Sequence, residues 1–176
     1  MNFFEFVEKY GTEVNKEDGE HLFRQGDYDG SMYIIQEGML KAYYVTAEGK
    51  ESVKSFLIEG DVIGSMSAAY ARLQNTFSLI TLTPCKLTKF DFQTLHQQTQ
   101  NDIELSQNVI EILLKFAMKK EQRERDLLCL SAQERYENLL ESAPDLIERV
   151  TQNDIARYLG VTPVGLSRIK QRVLGH

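Results

Sequence analysis

The 176-residue sequence predicts an α+β chain: an N-terminal sandwich or jelly roll, one long helix, and an all-α C-terminal helix-turn-helix. Three observations carry that reading. Residues 20–92 alternate short β-prone runs with glycine-centred turns, as the strands of a sandwich or jelly roll do. Residues 102–128 hold neither glycine nor proline and suit a long helix. Residues 151–176 carry capping residues and a turn glycine where two short helices need them.

Residues 3–10 read as a short amphipathic helix. The β-prone runs that follow are Glu20–Arg24, Met32–Gln36, Met39–Val45, Glu51–Leu57, Asp61–Gly64, Thr76–Leu82 and Cys85–Asp91. Gly26-Asp27, Gly30, Gly38, Glu48-Gly49, Gly60-Asp61 and Thr83-Pro84 punctuate them. Met39, Ala42, Tyr44 and Phe56 do not all fit one sheet face, so the register stays open.

In the long helix, Val109, Ile112, Leu113 and Phe116 form one apolar stripe, and Ile110, Leu114, Ala117 and Met118 another. A surface helix needs one stripe. Two imply burial on both sides, most simply against the β domain and against a second copy of the chain; the plain alternative is the central helix of a monomeric bundle. Residues 119–126 are highly charged and read as a solvated extension. A helix over 131–142 opens with a capping box, Ser131-Ala-Gln-Glu134, and ends at Ala143-Pro-Asp145.

Thr151 then caps a helix carrying Ile155, Ala156 and Leu159 on one side, with Asp154 near its positive end. Gly160 supplies the left-handed residue that ends it. Thr162 caps the second helix, with Pro163 at its first position. Leu166, Ile169 and Val173 face inward, while Ser167, Arg168, Lys170, Gln171 and Arg172 face out. From Arg157 onward there are four basic residues and no acid. This layout places a second helix in the DNA major groove. The plain alternative is a helical hairpin with a solvated basic face.

A net charge of −6 argues against a generally basic coat for nucleic acid, but not against a local docking face. Cys85 and Cys129 stand apart, which suggests a reducing compartment and neither a disulfide framework nor a metal cluster. Acids interrupt the first ten residues, so no signal peptide is expected, and no run suffices for a membrane span. A cytoplasmic location follows. His21, His96 and His176 are isolated, and no His-x-His, nucleophile triad or phosphate-cradling loop appears. No catalytic residue, metal ligand or enzyme activity is expected, and no cofactor is assigned.

Gly26-Asp27, Met32-Tyr-Ile-Ile35, Gly38, Gly49-Lys-Glu51, Phe56-Leu-Ile-Glu-Gly-Asp-Val-Ile-Gly64, Cys85 and Asp91 carry a further likeness. With the order of domains, they make the chain resemble the catabolite-activator (Crp/Fnr) superfamily of bacterial transcription regulators. The resemblance implies a cyclic-nucleotide-binding-type double-stranded β-roll over residues 1–100. A dimerisation helix over 101–128 and a DNA-binding domain over 129–176 complete it. It further implies a homodimer on a roughly palindromic double-stranded operator, responsive to a small-molecule effector not identified by the sequence.

In nucleotide-binding members the resemblance places a ribose-binding Glu just after a Gly and a phosphate-binding Arg about ten residues later. Those positions here follow Gly64 as Ser65 and Asn75, the latter followed by Thr76. Without the Arg, no fixed cation matches a phosphate, unless a three-residue shift brings Arg72 inward. Lys119-Lys-Glu121 replace the small hydroxyls expected near a bound base. Cyclic AMP is therefore not the expected effector; the pocket takes another ligand or has become structural. An iron–sulfur sensor needs more thiols than this chain has.

No wing hairpins of the family's kind are expected flanking the two helices, and Pro163-Val-Gly165 lacks a Glu that would read cytosine. Base readout is then expected from Thr162, Ser167 and Arg168, with Lys170 and Arg172 on phosphates and Pro163 among the DNA-contacting residues. The rival reading is a small-ligand or protein-binding module that does not touch DNA.

Overall fold

A computed structural model describes residues 1–175. It divides into two compact units: residues 1–50 with 54–114, and residues 51–53 with the chain from Lys115 onward.

The first unit is built on eight strands. They are β1 (Thr12–Lys16), β2 (His21–Phe23), β3 (Ser31–Glu37), β4 (Leu40–Val45), β5 (Glu51–Leu57), β6 (Val62–Ile63), β7 (Ser78–Thr81) and β8 (Cys85–Asp91). They form two four-stranded sheets, in the orders β1-β8-β3-β6 and β2-β7-β4-β5. Successive strands switch sheets everywhere except between β4 and β5, so this is a jelly roll. All the pairings whose registers are resolved are antiparallel.

Register explains the core. Leu87 on β8 lies between Val14 and Ile35 in one sheet, and Leu79 on β7 lies between Phe23 and Ala42 in the other. These residues meet in one apolar cluster with Leu40, Leu57, Ile63 and Phe77. Fully burying such a side chain is worth about 1.5–3 kcal/mol. On β4 the four residues Leu40, Lys41, Ala42 and Tyr43 are all buried, so that strand is covered on both faces. This is why one-sided patterning left its register open. At Gly38, with φ of 100°, a Cβ would also come within 2.5 Å of the Pro84 carbonyl oxygen. That turn requires glycine.

A second cluster joins α1 (Phe3–Tyr10), α3 (Phe92–Thr99) and the start of α4 (Ile103–Cys129) to the outer face of the roll. Phe90 sits edge-on to Phe3 and Phe6, with ring centroids 5.8 and 6.0 Å away. Leu105 of α4 is fully buried in this cluster, with Val109 and Ile112 packed against it. Ile110, Leu114 and Met118 on the same helix are exposed.

The second unit contains the rest of α4, α5 (Ala132–Ser142), α6 (Pro144–Arg149), α7 (Gln152–Leu159) and α8 (Pro163–Leu174). Their core is Tyr136, Leu139, Ile155, Ala156, Leu159, Leu166 and Ile169. Ser131 and Glu134 make the capping box expected for α5.

Four elements correct the sequence reading. Strand β1 lies outside every β-prone run of the sequence; it is a polar edge strand paired with β8 over five residues. The short helix α2 (Met66–Ala69) and the polar helix α3 likewise carry no helical pattern that the sequence reading identifies. The break at Ala143-Pro-Asp145 begins α6, since Pro144 suits a first helical position. Residues 119–126 are not wholly solvated, because Arg123 and Asp126 are half-buried. Among the described residues no helix is long and apolar enough to cross a membrane.

Candidate nucleic-acid interface and effector pocket

The two C-terminal helices are set by their caps. The Thr151 hydroxyl accepts from the Asp154 amide at 3.1 Å and donates to the Asp154 carboxylate at 3.0 Å. Gly160 ends α7 at φ of 72°, where an L side chain would be strained. The Thr162 hydroxyl accepts from the Gly165 amide at 3.1 Å, opening α8 with Pro163 in its first turn. Leu166 and Ile169 are buried and Val173 packs beside them. That core contact fixes which side of α8 faces outward.

The expected contact residues fall as follows. Thr162, Pro163, Ser167, Arg168 and Arg172 are exposed. Among the described residues the Arg168 guanidinium has no side-chain partner in the structure, while its carbonyl accepts from the Arg172 Nε at 3.4 Å. Lys170 is half-buried, and its Nζ donates to the Gln152 Oε1 at 3.0 Å, tying α8 to the first turn of α7. Arg157 sits 3.6 Å from the buried Asp154 carboxylate on its own helix.

Two arginines outside the helix pair hold its turn, and sequence reasoning missed both. Arg123 donates to the Tyr158 carbonyl and lies over the Tyr158 ring. Arg135 donates to the Leu159 carbonyl at 2.8 Å and the Leu130 carbonyl at 2.6 Å. These satisfy carbonyls that a helix end leaves unpaired, and put positive charge at its negative pole. Burial pushes the Arg123 guanidinium below its ordinary range, with the opposing effect of Tyr158 second. The missed signal is spacing: Arg123 lies seven residues beyond Phe116, on the side of α4 that carries Ile112 and Phe116. An arginine's carbon stem extends an apolar stripe.

The effector-pocket residues separate into an inner and an outer group. Ser65 continues the inward register of Ile63, and Asn75 that of Phe77 and Leu79. Ser65 is 1% exposed and Asn75 2%. Among the described residues the Ser65 Oγ and both polar atoms of the Asn75 amide have no hydrogen-bond partner. The Asn75 backbone, by contrast, is paired on both sides, with Gly26 and Asp27. Gly64 packs so closely on β3 that a Cβ would meet the Met32 sulfur at 2.3 Å and the Ser31 carbonyl oxygen at 2.8 Å.

Arg72 and Thr76 are exposed. Arg72 has a left-handed backbone, φ 56°, and lines an outer groove of about 440 Å³ with Tyr28, Gly30, Asp91 and Gln93. The structure thus leaves neutral side chains at the two inward positions and puts Arg72 in the outer groove. Among the described residues no group of three or more His, Cys, Asp or Glu is placed to hold a metal ion.

Residues 13–102 match the family model described as the cyclic nucleotide-binding domain. The chain is 27% identical to electron transport regulator A of Shewanella oneidensis and 29% to the fumarate and nitrate reduction regulatory protein of Yersinia pestis. Both alignments cover 88% of this chain but 65% of the relative, so the chain spans about two thirds of those proteins. Among solved structures, FixK2 from Bradyrhizobium japonicum aligns with a TM-score of 0.75 at 17% identity, covering 94% of this chain and 86% of that one. A CooA mutant from Carboxydothermus hydrogenoformans aligns with a TM-score of 0.74 at 16% identity, covering 99% and 86%. At those identities the structural likeness shows the fold.

Proposed function

The chain belongs to the cyclic nucleotide-binding domain family, and from that premise we propose that it is a DNA-binding transcription regulator of the Crp/Fnr type. One observation carries the proposal. A capped pair of helices joined at Gly160 buries Leu166 and Ile169 and turns Ser167, Arg168 and Arg172 to solvent on the opposite side. That is the presentation a recognition helix needs in a major groove.

The working form is a homodimer through α4, in a cytoplasmic setting, with no catalytic role. Leu105, Val109 and Ile112 are used by the first unit, while Ile110 (52% exposed) and Leu114 (57%) project from another side of the helix. An exposed apolar row of that kind marks an association surface. Residues 1–100 serve as the sensor, 101–128 as the dimer helix and 129–176 as the reader. The roll does not take cyclic AMP as its effector, because a phosphate buried against Ser65 and Asn75 gains no cation to offset its desolvation; it takes another small molecule or serves a structural role.

The test is enrichment of duplexes from a random pool with the intact chain. The proposal expects a roughly palindromic site with half-sites about 10 base pairs apart. A pool that stays random contradicts it and favours a module that binds only small ligands or protein.

A further inference from the structure

The outward side of α8 is a stripe of Val164, Ser167, Arg168 and Gln171, at the i, i+3, i+4, i+7 spacing of one helix face. It lies opposite Leu166, Ile169 and Val173, which pack into the core of the second unit. Three of the four are polar. The fourth, Val164, is 62% exposed and sits one residue after Pro163 in the leading turn. It belongs to no part of the apolar cluster beneath the helix. Gly165 beside it has no side chain, and the exposed residue before it is Pro163. The leading turn of α8 therefore presents an apolar knob, with the first polar residue of its stripe, Ser167, almost a turn further on.

We propose that Val164 is a specificity-determining residue that reads a thymine through its C5 methyl group. The inference rests on the DNA-binding reading above and adds a base to it. Residues at the start of a recognition helix are those that meet base edges. In the major groove thymine offers a methyl, whereas cytosine and adenine offer amines that need an acceptor. Valine has none, so facing an amine would desolvate a donor without pairing it. Arg168 lies four residues along the same stripe, about 6 Å along the helix axis, and its guanidinium suits guanine O6 and N7. With base pairs about 3.4 Å apart, the thymine falls one or two pairs from a guanine.

The experiment takes the duplex enriched from the random pool and replaces each dT of a half-site singly by dU, which removes only the methyl. One position should respond, its affinity falling roughly fourfold, the value of one buried methyl-sized group. At that position 5-methyl-dC should bind better than dC. In Val164→Ala the dT and dU duplexes should converge, while the preference for guanine nearby persists. A half-site in which no dT responds to dU overturns the inference alone, as does a response left unchanged in Val164→Ala. Failure to enrich any duplex overturns the DNA-binding reading and this inference together.

Discussion

The guanidinium of Arg123 lies 3.8 Å from the centroid of the Tyr158 ring and donates to the Tyr158 carbonyl. One residue of the long helix thus fastens the end of α7, the helix that precedes the recognition helix. Arg123→Ala should lower the stability of the second unit by about 1–3 kcal/mol, from a lost charge-assisted hydrogen bond and a lost ring contact. Arg123→Lys should recover only part, since an ammonium lacks the planar fork. A double-mutant cycle with Tyr158→Leu, followed by urea denaturation, measures the coupling. Additive losses would mean that the two side chains do not act together.

The unpaired interior groups make a second prediction. Ser65→Ala removes a buried hydroxyl that has no partner among the described residues, so it should leave stability unchanged or raise it by up to about 1 kcal/mol. Calorimetry with cyclic AMP and cyclic GMP should give no saturable heat at micromolar nucleotide. Micromolar binding that disappears in Arg72→Ala would show that the outer-groove arginine turns inward and supplies the missing cation.

Some of this was legible in the sequence and some was not, for identifiable reasons. Caps are local chemistry, so Thr151, Gly160, Thr162 and the Ser131–Glu134 box are legible from residue type alone. Strand β1, Thr-Glu-Val-Asn-Lys, has a single apolar residue because it is an edge strand held by backbone pairing with β8, and pairing leaves no mark on composition. Helix α3 buries only Phe92 and Leu95; its one local signal was Asp91, whose carboxylate accepts from the Thr94 amide at 2.7 Å. The doubled stripe on α4 is visible in the sequence, but which stripe packs within the chain depends on Phe3 and Phe6, about a hundred residues away, and on Phe90, about twenty away. Arg123 was hidden among charges because its role depends on a carbonyl thirty-five residues away.

The α4 row gives a third prediction. Ile110→Glu with Leu114→Glu places carboxylates on the exposed side and spares Leu105, Val109 and Ile112. Sedimentation should show folded monomers where the parent chain is dimeric. A variant that still sediments as a dimer would remove this side of the helix from the interface.

The two thiols should differ sharply in reactivity. Burial pushes the Cys85 thiol above its ordinary value, so less of it is thiolate at any given pH, and its sulfur donates to the Thr83 and Met39 carbonyls. Cys129 is exposed. A disulfide reagent at pH 8 should modify one thiol per chain quickly, and Cys129→Ser should abolish that phase. A fast phase surviving in Cys129→Ser would show that the jelly roll opens around Cys85.

The most direct test of the central claim is a salt titration of the intact chain on its enriched duplex and on random duplex, with Arg168→Ala beside it. Both affinities should fall steeply and linearly in log–log form as salt rises, with a slope near −0.9 per phosphate neutralised. Arg168→Ala should weaken the specific duplex by about 1–3 kcal/mol more than the random one. Binding that is insensitive to salt, or an unchanged ratio between the two duplexes in Arg168→Ala, would contradict the assignment of α8 as the reading helix.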